Sequence, residues 1–470
     1  MSDNTSCSGE PTKMTDSLLP LFSPQSIAVI GASDDASKYG HRVLRNILDG
    51  GFEGRVYPIH PSAVTVLNLQ SHKSIRDIPE RVDLAVVVIP AALVLKTVRE
   101  AVEAGVRSLV IITAGFGETG DAGGRAEAEI RSLCQLAHIP VVGPNCMGVC
   151  SFQHGLAATM VALQSAPGHI SFISQSGSYG VSMLNYGTWL GAKFNVFVSS
   201  GNEAVTRFSD YLNYLGNDSE THVIMGYVES LKDARTFVTV ARVVTRRKPV
   251  VIMKFGRTAR GSLAAASHTG ALAGPHSVYS AAFRQSGIVE VTRTRDLLNT
   301  AMAFSMQPPL AGCGIGVVGT SGGFAVAVTD YLVEQGLEVP TLAQKVQEEM
   351  RHVGNTMPYA SLRNPVDLAA DMRPSVLLKC AGIMLGQPEI NGLIVGLAAN
   401  PFPPDVNTIS EIERIQGQSN KSVLLCYYGR PQNIDVVQRM TTRLPVYGTP
   451  EEVAQVMAHL RQYGEYIGRI

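Results

Sequence analysis

The sequence predicts an α/β protein of three doubly wound parallel-sheet domains. Strand-length runs are apolar almost throughout, as in V-D-L-A-V-V-V-I-P-A at 82–91, which suits strands covered on both faces. These runs alternate with segments of helical length, the pattern of a parallel sheet. At 470 residues, with about 150 per domain, the chain is long enough for about three such units.

The first 17 residues are polar and read as a disordered tail. A first domain spans 18–150. Its opening strand, S-I-A-V-I-G-A-S at 26–33, ends in a glycine turn, and an amphipathic helix follows through H-R-V-L-R-N-I-L-D-G at 41–50. A glycine turn leading into a helix aims backbone N–H groups at a phosphate. Further strands fall at 56–61, 82–91, 108–118 and 140–146, with helices at 93–104 and 123–137. The turn does not match the dinucleotide fingerprint G-x-G-x-x-G: Gly31 is followed by Ala32 and Ser33, and the next glycine is Gly40. Ile59, His60 and Pro61 stand where a nicotinamide site wants an acid, which argues against an NAD-linked oxidoreductase.

A second domain, 160–305, opens with G-H-I-S-F-I-S-Q-S-G-S-Y-G at 168–180. Its strand runs into Ser174, Gln175, Ser176 and Gly177 at the start of a helix, more donors than a simple cap requires, in a place suited to an anion. Strands follow at 195–204, 222–230, 248–256 and 286–291, with a helix at 233–245. Within S-L-A-A-A-S-H-T-G-A-L-A-G at 262–274, His268 is the one imidazole among small residues. It reads either as an incidental surface histidine or as a group presented for chemistry.

A Pro/Gly-bearing linker at 306–313 leads to a third domain, 312–470. G-I-G-V-V-G-T-S-G-G-F-A-V-A at 314–327 repeats the plan of strand, glycine-rich turn and helix, and strands at 364–368, 390–397, 422–428 and 444–449 precede a final helix.

Composition narrows the function. Lys plus Arg equals Asp plus Glu at 39 each, so no global charge draws the chain to nucleic acid or an anionic membrane. No apolar run reaches the ~18 residues of a membrane span, and the N-terminus lacks a signal peptide's basic start and apolar run. The seven cysteines are scattered and odd in number, without a second pair or histidine cluster at metal spacing, and read as reduced core thiols. A cytoplasmic location and no metal site are expected.

Taken together, the motifs I-A-V-I-G-A-S, I-T-A-G-F-G-E, G-P-N-C, I-S-Q-S-G, Y-V-E-S, A-A-A-S-H-T-G-A-L-A-G, G-T-S-G-G and N-P-V-D-L, in this order, resemble the α subunit of the ADP-forming acyl-CoA synthetases (the acetate–CoA ligase group), in the succinyl-CoA synthetase superfamily. The resemblance covers about residues 18 to 470. It implies a Rossmann-like CoA-binding domain followed by two flavodoxin-like domains, and a reaction linking acid, CoA and ATP to acyl-CoA, ADP and phosphate through acyl phosphate and a phosphohistidine. By that likeness Gly31, Ala32, Ser33 and Lys38 lie near the CoA phosphates and Pro90 near its adenine, with Glu118 and Asn145 at the edge of the site. The Ser174–Gly177 turn holds the phosphoryl group, His268 carries it and Glu229 orients that histidine. Two places depart from the family pattern: I-H-P at 59–61 stands for the usual V-N-P, and Val205 occupies a commonly acidic position. No ATP-grasp region is legible, so the resemblance puts ATP/ADP and Mg²⁺ on a β subunit, in an α2β2 heterotetramer. A CoA-sensing regulatory or scaffold subunit with an inert histidine is the alternative.

Overall fold

The computed structural model describes residues 16–269, 274–354, 356–398, 404–429 and 433–468. The chain forms two compact units: Met1–Tyr186, Lys193–Lys248 and Lys254–Ala282 make the first, and Gly187–Ala192, Pro249–Met253 and Phe283–Ile470 the second.

The first unit begins with β1 (Ser26–Ile30), α1 (Tyr39–Asp49), β2 (Arg55–Ile59), β3 (Leu84–Val87), α2 (Ala91–Glu103), β4 (Ser108–Ile111), α3 (Asp121–Leu136) and β5 (Val141–Val142). The strands form a parallel sheet in the order β2-β1-β3-β4-β5. Strands β1, β3 and β4 are buried at every position, which accounts for sequences that are apolar but for Ser26 and Ser108 at the starts of β1 and β4. Because the chain leaves β1 for β2 on one side and returns to β3 on the other, the crevice between β1 and β3 is the switch point where ligands of open α/β sheets bind.

A short antiparallel pair follows, β6 (Gly148–Ser151) and β7 (Leu156–Thr159), turned at Gly155 in the left-handed region with φ 60° and ψ 14°. This pair has no counterpart in the sequence reading, because two buried four-residue strands carry no alternation to detect. Next come β8 (Pro167–Ser174), α4 (Gly177–Trp189), β9 (Phe194–Ser199), α5 (Phe208–Asn217), β10 (Val223–Val228), α6 (Ala234–Val244) and α7 (Ala259–Thr269). Here the strand order is β10-β8-β9-β6-β7, with β8 parallel to both neighbours and β6 antiparallel to β9. A second switch point therefore lies between β8 and β10. The side chain of Asn46 in α1 donates to Thr159 O at 2.7 Å and ties that helix to β7.

In the second unit β11 (Val250–Lys254) pairs in parallel with β12 (Val289–Val291), and α8 (Thr294–Met306) follows. The third sheet has the parallel order β14-β13-β15-β16-β17, formed by β13 (Ile315–Gly319), β14 (Val366–Asp367), β15 (Gly392–Ala398), β16 (Ser422–Tyr428) and β17 (Val446–Tyr447). Helices α9 (Gly322–Glu334), α10 (Pro374–Leu385), α11 (Val406–Gly417) and α12 (Pro450–Gly468) belong to the same unit.

His459 of α12 is buried, its Nε2 accepting from the Gln455 amide at 3.0 Å and its Nδ1 lying 2.7 Å from Thr300 Oγ1 of α8. An amide nitrogen can only donate, so Nε2 is unprotonated and the ring is neutral, with Nδ1–H directed at Thr300. Burial, assisted by Arg293 and opposed by Asp296, lowers the pKa of His459 from 6.5 to about 4. A lowered folded-state pKa means that protonation favours the unfolded chain. Stability from this group is complete above pH 6.5 and is lost as pH falls towards 4, by about 3 kcal/mol. His459→Met, similar in volume, is expected to flatten the fall in stability across that window, as read by urea melts at successive pH values.

Candidate active site

A cavity of about 670 Å³ in the first unit is walled by the loops at the carboxyl ends of both of its sheets. From the first sheet come Gly31, Lys38, Tyr39, Pro90, Thr113 and Asn145; from the second, Gln175, Ser176, Gly177, Asn202, Glu203 and Lys232.

Gly31 occupies the turn after β1 with φ +96°, and a Cβ there would sit 2.2 Å from Val88 O, so only glycine fits. Three helix N-termini border the cavity: α1 at Lys38, α2 at Pro90 and α4 at Ser176–Gly177. None has an acidic residue in its first turn, and neither Lys38 nor Pro90 makes a side-chain cap. Uncapped N–H groups and helix dipoles, together with Lys38 and Lys232, make this an anion-receptive wall. Val88, Ile89, Met147 and Met160 supply apolar surface alongside.

The predicted residues divide into those at the cavity and those behind it. Gly31, Lys38, Pro90, Asn145, Gln175, Ser176 and Gly177 line it. Ala32 and Ser33 are buried, and the Ser33 hydroxyl accepts from Asp35 N at 3.1 Å. Ser174 is also buried, donating to Ser176 O at 2.6 Å and so shaping the turn into α4. Glu229, 6% exposed, accepts from the Tyr227 hydroxyl at 3.2 Å. His268 falls near the end of α7, and its side chain lies outside the described residues. At the I-H-P departure, His60 Nδ1 accepts from Ser62 N and Ala63 N at 3.2 and 2.9 Å and closes its own turn. Val205 packs against the core of the first sheet.

Glu118 joins the site through Asn202. The Asn202 amide nitrogen donates to Glu118 Oε2 at 2.6 Å and to Glu127 Oε2 at 2.9 Å, while its oxygen accepts from Asn145 Nδ2 at 3.2 Å. Backbone bonds from Gly143 N to Ser200 O, Asn202 N to Pro144 O and Ala204 N to Gly143 O join the same two loops. Burial pushes the Glu118 carboxyl up, but the Asn202 amide and the N–H groups of Gly115 and Phe116 outweigh it, leaving Glu118 below the ordinary glutamate range. Glu203 is the opposite case. Burial carries it above that range, although Gln175, Ser200 and the Phe208 N–H stabilise its ionised form. Burial also pushes the thiol of Cys146, which lines the cavity, up to about 12, so it stays protonated and unreactive at neutral pH.

Sequence reasoning missed Tyr39, Asn202, Glu203 and Lys232. Glu203 and Asn202 were detectable in principle, since G-N-E at 201–203 closes a strand at the carboxyl end, where sites of such sheets lie. Tyr39 is 56% exposed at the cavity with the Arg42 guanidinium 5.6 Å from its ring centre, and nothing in the sequence set it apart.

This fold and cavity define an α/β protein of the doubly wound class whose cavity wall, bordered by three helix N-termini, is suited to an anion. Residues 25–151 match the CoA binding domain family and residues 167–304 the succinyl-CoA ligase like flavodoxin domain. The α subunit of ADP-forming acetate–CoA ligase II from Pyrococcus furiosus is 35% identical over 453 residues, covering 95% of this chain and 98% of that one. The 4-hydroxybutyrate–CoA ligase (ADP-forming) of Nitrosopumilus maritimus is 31% identical over 97% of this chain and 65% of its own, longer chain. The structure of dinucleotide forming acetyl-coenzyme A synthetase 1 from Candidatus Korarchaeum cryptofilum, in complex with phosphate and ADP, superposes with a TM-score of 0.90 at 32% identity, over 96% of this chain and 98% of that one. The chain belongs to the family of α subunits of ADP-forming acyl-CoA synthetases.

No helix among the described residues is long and apolar enough to cross a membrane. Among the same residues, no group of three or more His, Cys, Asp or Glu side chains could hold a metal ion.

Asn202→Ala leaves two carboxylates without their shared donor and is expected to cost about 2 kcal/mol at neutral pH. Because the Glu118 pKa is depressed in the folded state, the stability it contributes is present above pH 4.5 and is lost as pH falls further. The deficit of the variant is therefore expected to narrow below pH 4.5, as measured by denaturant melts of both proteins.

Proposed function

We propose that this chain is the α subunit of an ADP-forming acyl-CoA synthetase that interconverts acid, CoA and ATP with acyl-CoA, ADP and phosphate. The observation carrying this reading is the shared cavity, bordered by the β1–α1 turn of the CoA-binding region and by the N-terminus of α4. A cationic rim with uncapped helix ends fits the CoA phosphates, and the apolar strip of Val88, Ile89, Met147 and Met160 fits the pantetheine arm. On this reading the domains are 18–150, 160–305 and 312–470.

Lys38 and the Gly31 turn, backed by Ala32 and Ser33, hold CoA phosphates, and Pro90 lies against the adenine. Ser176 and Gly177 present N–H groups to the transferring phosphoryl, whose charged oxygens they stabilise electrostatically. In the direction of acid formation, phosphate oxygen attacks the acyl-CoA carbonyl. The C–O bond forms, the C–S bond breaks and the thiolate leaves. A ring nitrogen of neutral His268 then attacks phosphorus and the P–O bond to the acyl group breaks, releasing the carboxylate. Glu229, fixed by Tyr227, orients the imidazole and stabilises its positive charge. The small residues around His268 suit a segment that carries phosphate between two places. ATP/ADP and Mg²⁺ belong to an ATP-grasp β subunit, in an α2β2 assembly in the cytoplasm.

The complete complex incubated with γ-phosphate-labelled ATP is expected to acquire acid-labile label on this chain, and His268→Ala is expected to abolish it. Label persisting in that variant would remove His268 from the mechanism.

A further inference from the structure

Gln175 sits in the turn between β8 and α4, yet both ends of its side chain are spent within the protein. Its Nε2 donates to Glu203 Oε1 at 3.0 Å and to Ser230 O at 2.7 Å. Its Oε1 accepts from Glu229 N at 2.7 Å and Ser230 N at 3.0 Å. A primary amide has two N–H donors and two acceptor lone pairs, so all four capacities are filled. The partners lie on the loops that follow β9 and β10, the two strands flanking β8. One side chain thus fastens three neighbouring loops at the carboxyl edge of the sheet.

Glu203 completes the fastening. It is 3% exposed, holds φ at +51°, and its Oε1 also accepts from Ser200 Oγ at 2.8 Å. A non-glycine residue in the left-handed region is retained only where its surroundings over-determine it. Ser200 belongs to the same loop, so the carboxylate stiffens its own segment while holding the Gln175 amide in one orientation.

We propose that Gln175, with Glu203, is a positioning pair that sets Glu229 relative to the N-terminus of α4, and that Gln175 is not a ligand of the transferred phosphoryl group. This rests on the reading of His268 as carrier and Glu229 as its orienting group. By gripping the backbone N–H of Glu229 and both backbone groups of Ser230, the amide fixes the loop from which the carboxylate projects. Partners of this kind that orient a functional side chain typically affect activity by about 10–100-fold. A displacement near 1 Å at the reacting atoms is enough to produce such a loss.

The test uses the complete complex and compares Gln175→Glu, Gln175→Met and the exchange Gln175→Glu/Glu203→Gln. Gln175→Glu keeps the acceptor towards Glu229 N and Ser230 N but sets a carboxylate oxygen against Glu203 and Ser230 O. The rate of histidine phosphorylation is expected to fall about 100-fold, with the KM for CoA changing less than about threefold. In the exchange variant the amide at 203 donates to the carboxylate at 175, and the rate is expected to recover to within about tenfold of the parent. A phosphoryl ligand would behave differently, because the added negative charge repels phosphate whatever stands at 203. Failure of the exchange to recover, or activity of Gln175→Glu within about twofold of the parent, overturns the proposal. If the charged variants do not fold, Gln175→Met decides: lowered kcat with unchanged KM for phosphate supports positioning, and a raised KM for phosphate overturns it. Loss of label in His268→Ala with normal Gln175 variants sinks this inference alone, whereas label persisting in His268→Ala removes the reading beneath it.

Discussion

The amide of Asn202 is the contact on which the geometry of the cavity depends. Its two N–H groups are shared between Glu118 and Glu127, which belong to the first sheet's loops and to α3, while Asn202 itself follows β9 of the other sheet. Two carboxylates brought together and partly withdrawn from water repel each other and lose hydration, so they need donors and counter-charge. The Gly117 N–H donates to Glu127, and Arg131 and Lys232 lie within 3.4 and 3.8 Å of it, supplying the charge. A backbone ladder alone would bring the two loops together; the amide and its carboxylates fix how they meet.

That junction allows two switch points to serve one cavity. Each parallel sheet opens a crevice where its strand order reverses, between β1 and β3 in one and between β8 and β10 in the other. Either crevice alone would be a nucleotide-like site. The two face the same space, and on the proposed function one would take CoA and the other the phosphate. The buried ionisable groups around it divide: Glu118 is held ionised by its donors, Glu203 is drawn towards its neutral form by burial, and Cys146 is kept a protonated thiol by burial.

Much of this was legible in the amino-acid order. Alternating apolar runs and amphipathic segments specify parallel sheets, and glycine or serine at the end of a strand specifies an anion-facing turn. Gln175, Ser176 and Gly177 stand out in this way, Gly31 by its turn and by the family resemblance, and Lys38, Pro90 and Asn145 by the family resemblance alone; all seven line the cavity. The β6–β7 pair was invisible because strands this short and this buried have no period to read. Asn202, Glu203 and Lys232 escaped for another reason. Their importance comes from partners about 28 to 84 positions away in sequence, and an asparagine or lysine in a loop is ordinarily a solvated surface residue.

The sequence by itself determined the parallel sheet type, the family and the glycine- and serine-bearing turns at the strand ends, since each is written in short stretches of neighbouring residues. Only the tertiary structure decided which of those turns share a cavity and which polar side chains are used up within the protein. Gln175 shows the difference: in sequence it is one more donor beside a phosphate turn, and in space its amide is filled by Glu203, Glu229 and Ser230. Hydrogen-bond capacity is finite, and whether a group is spent on its neighbours or left for a ligand is settled only when distant loops are brought within about 3 Å.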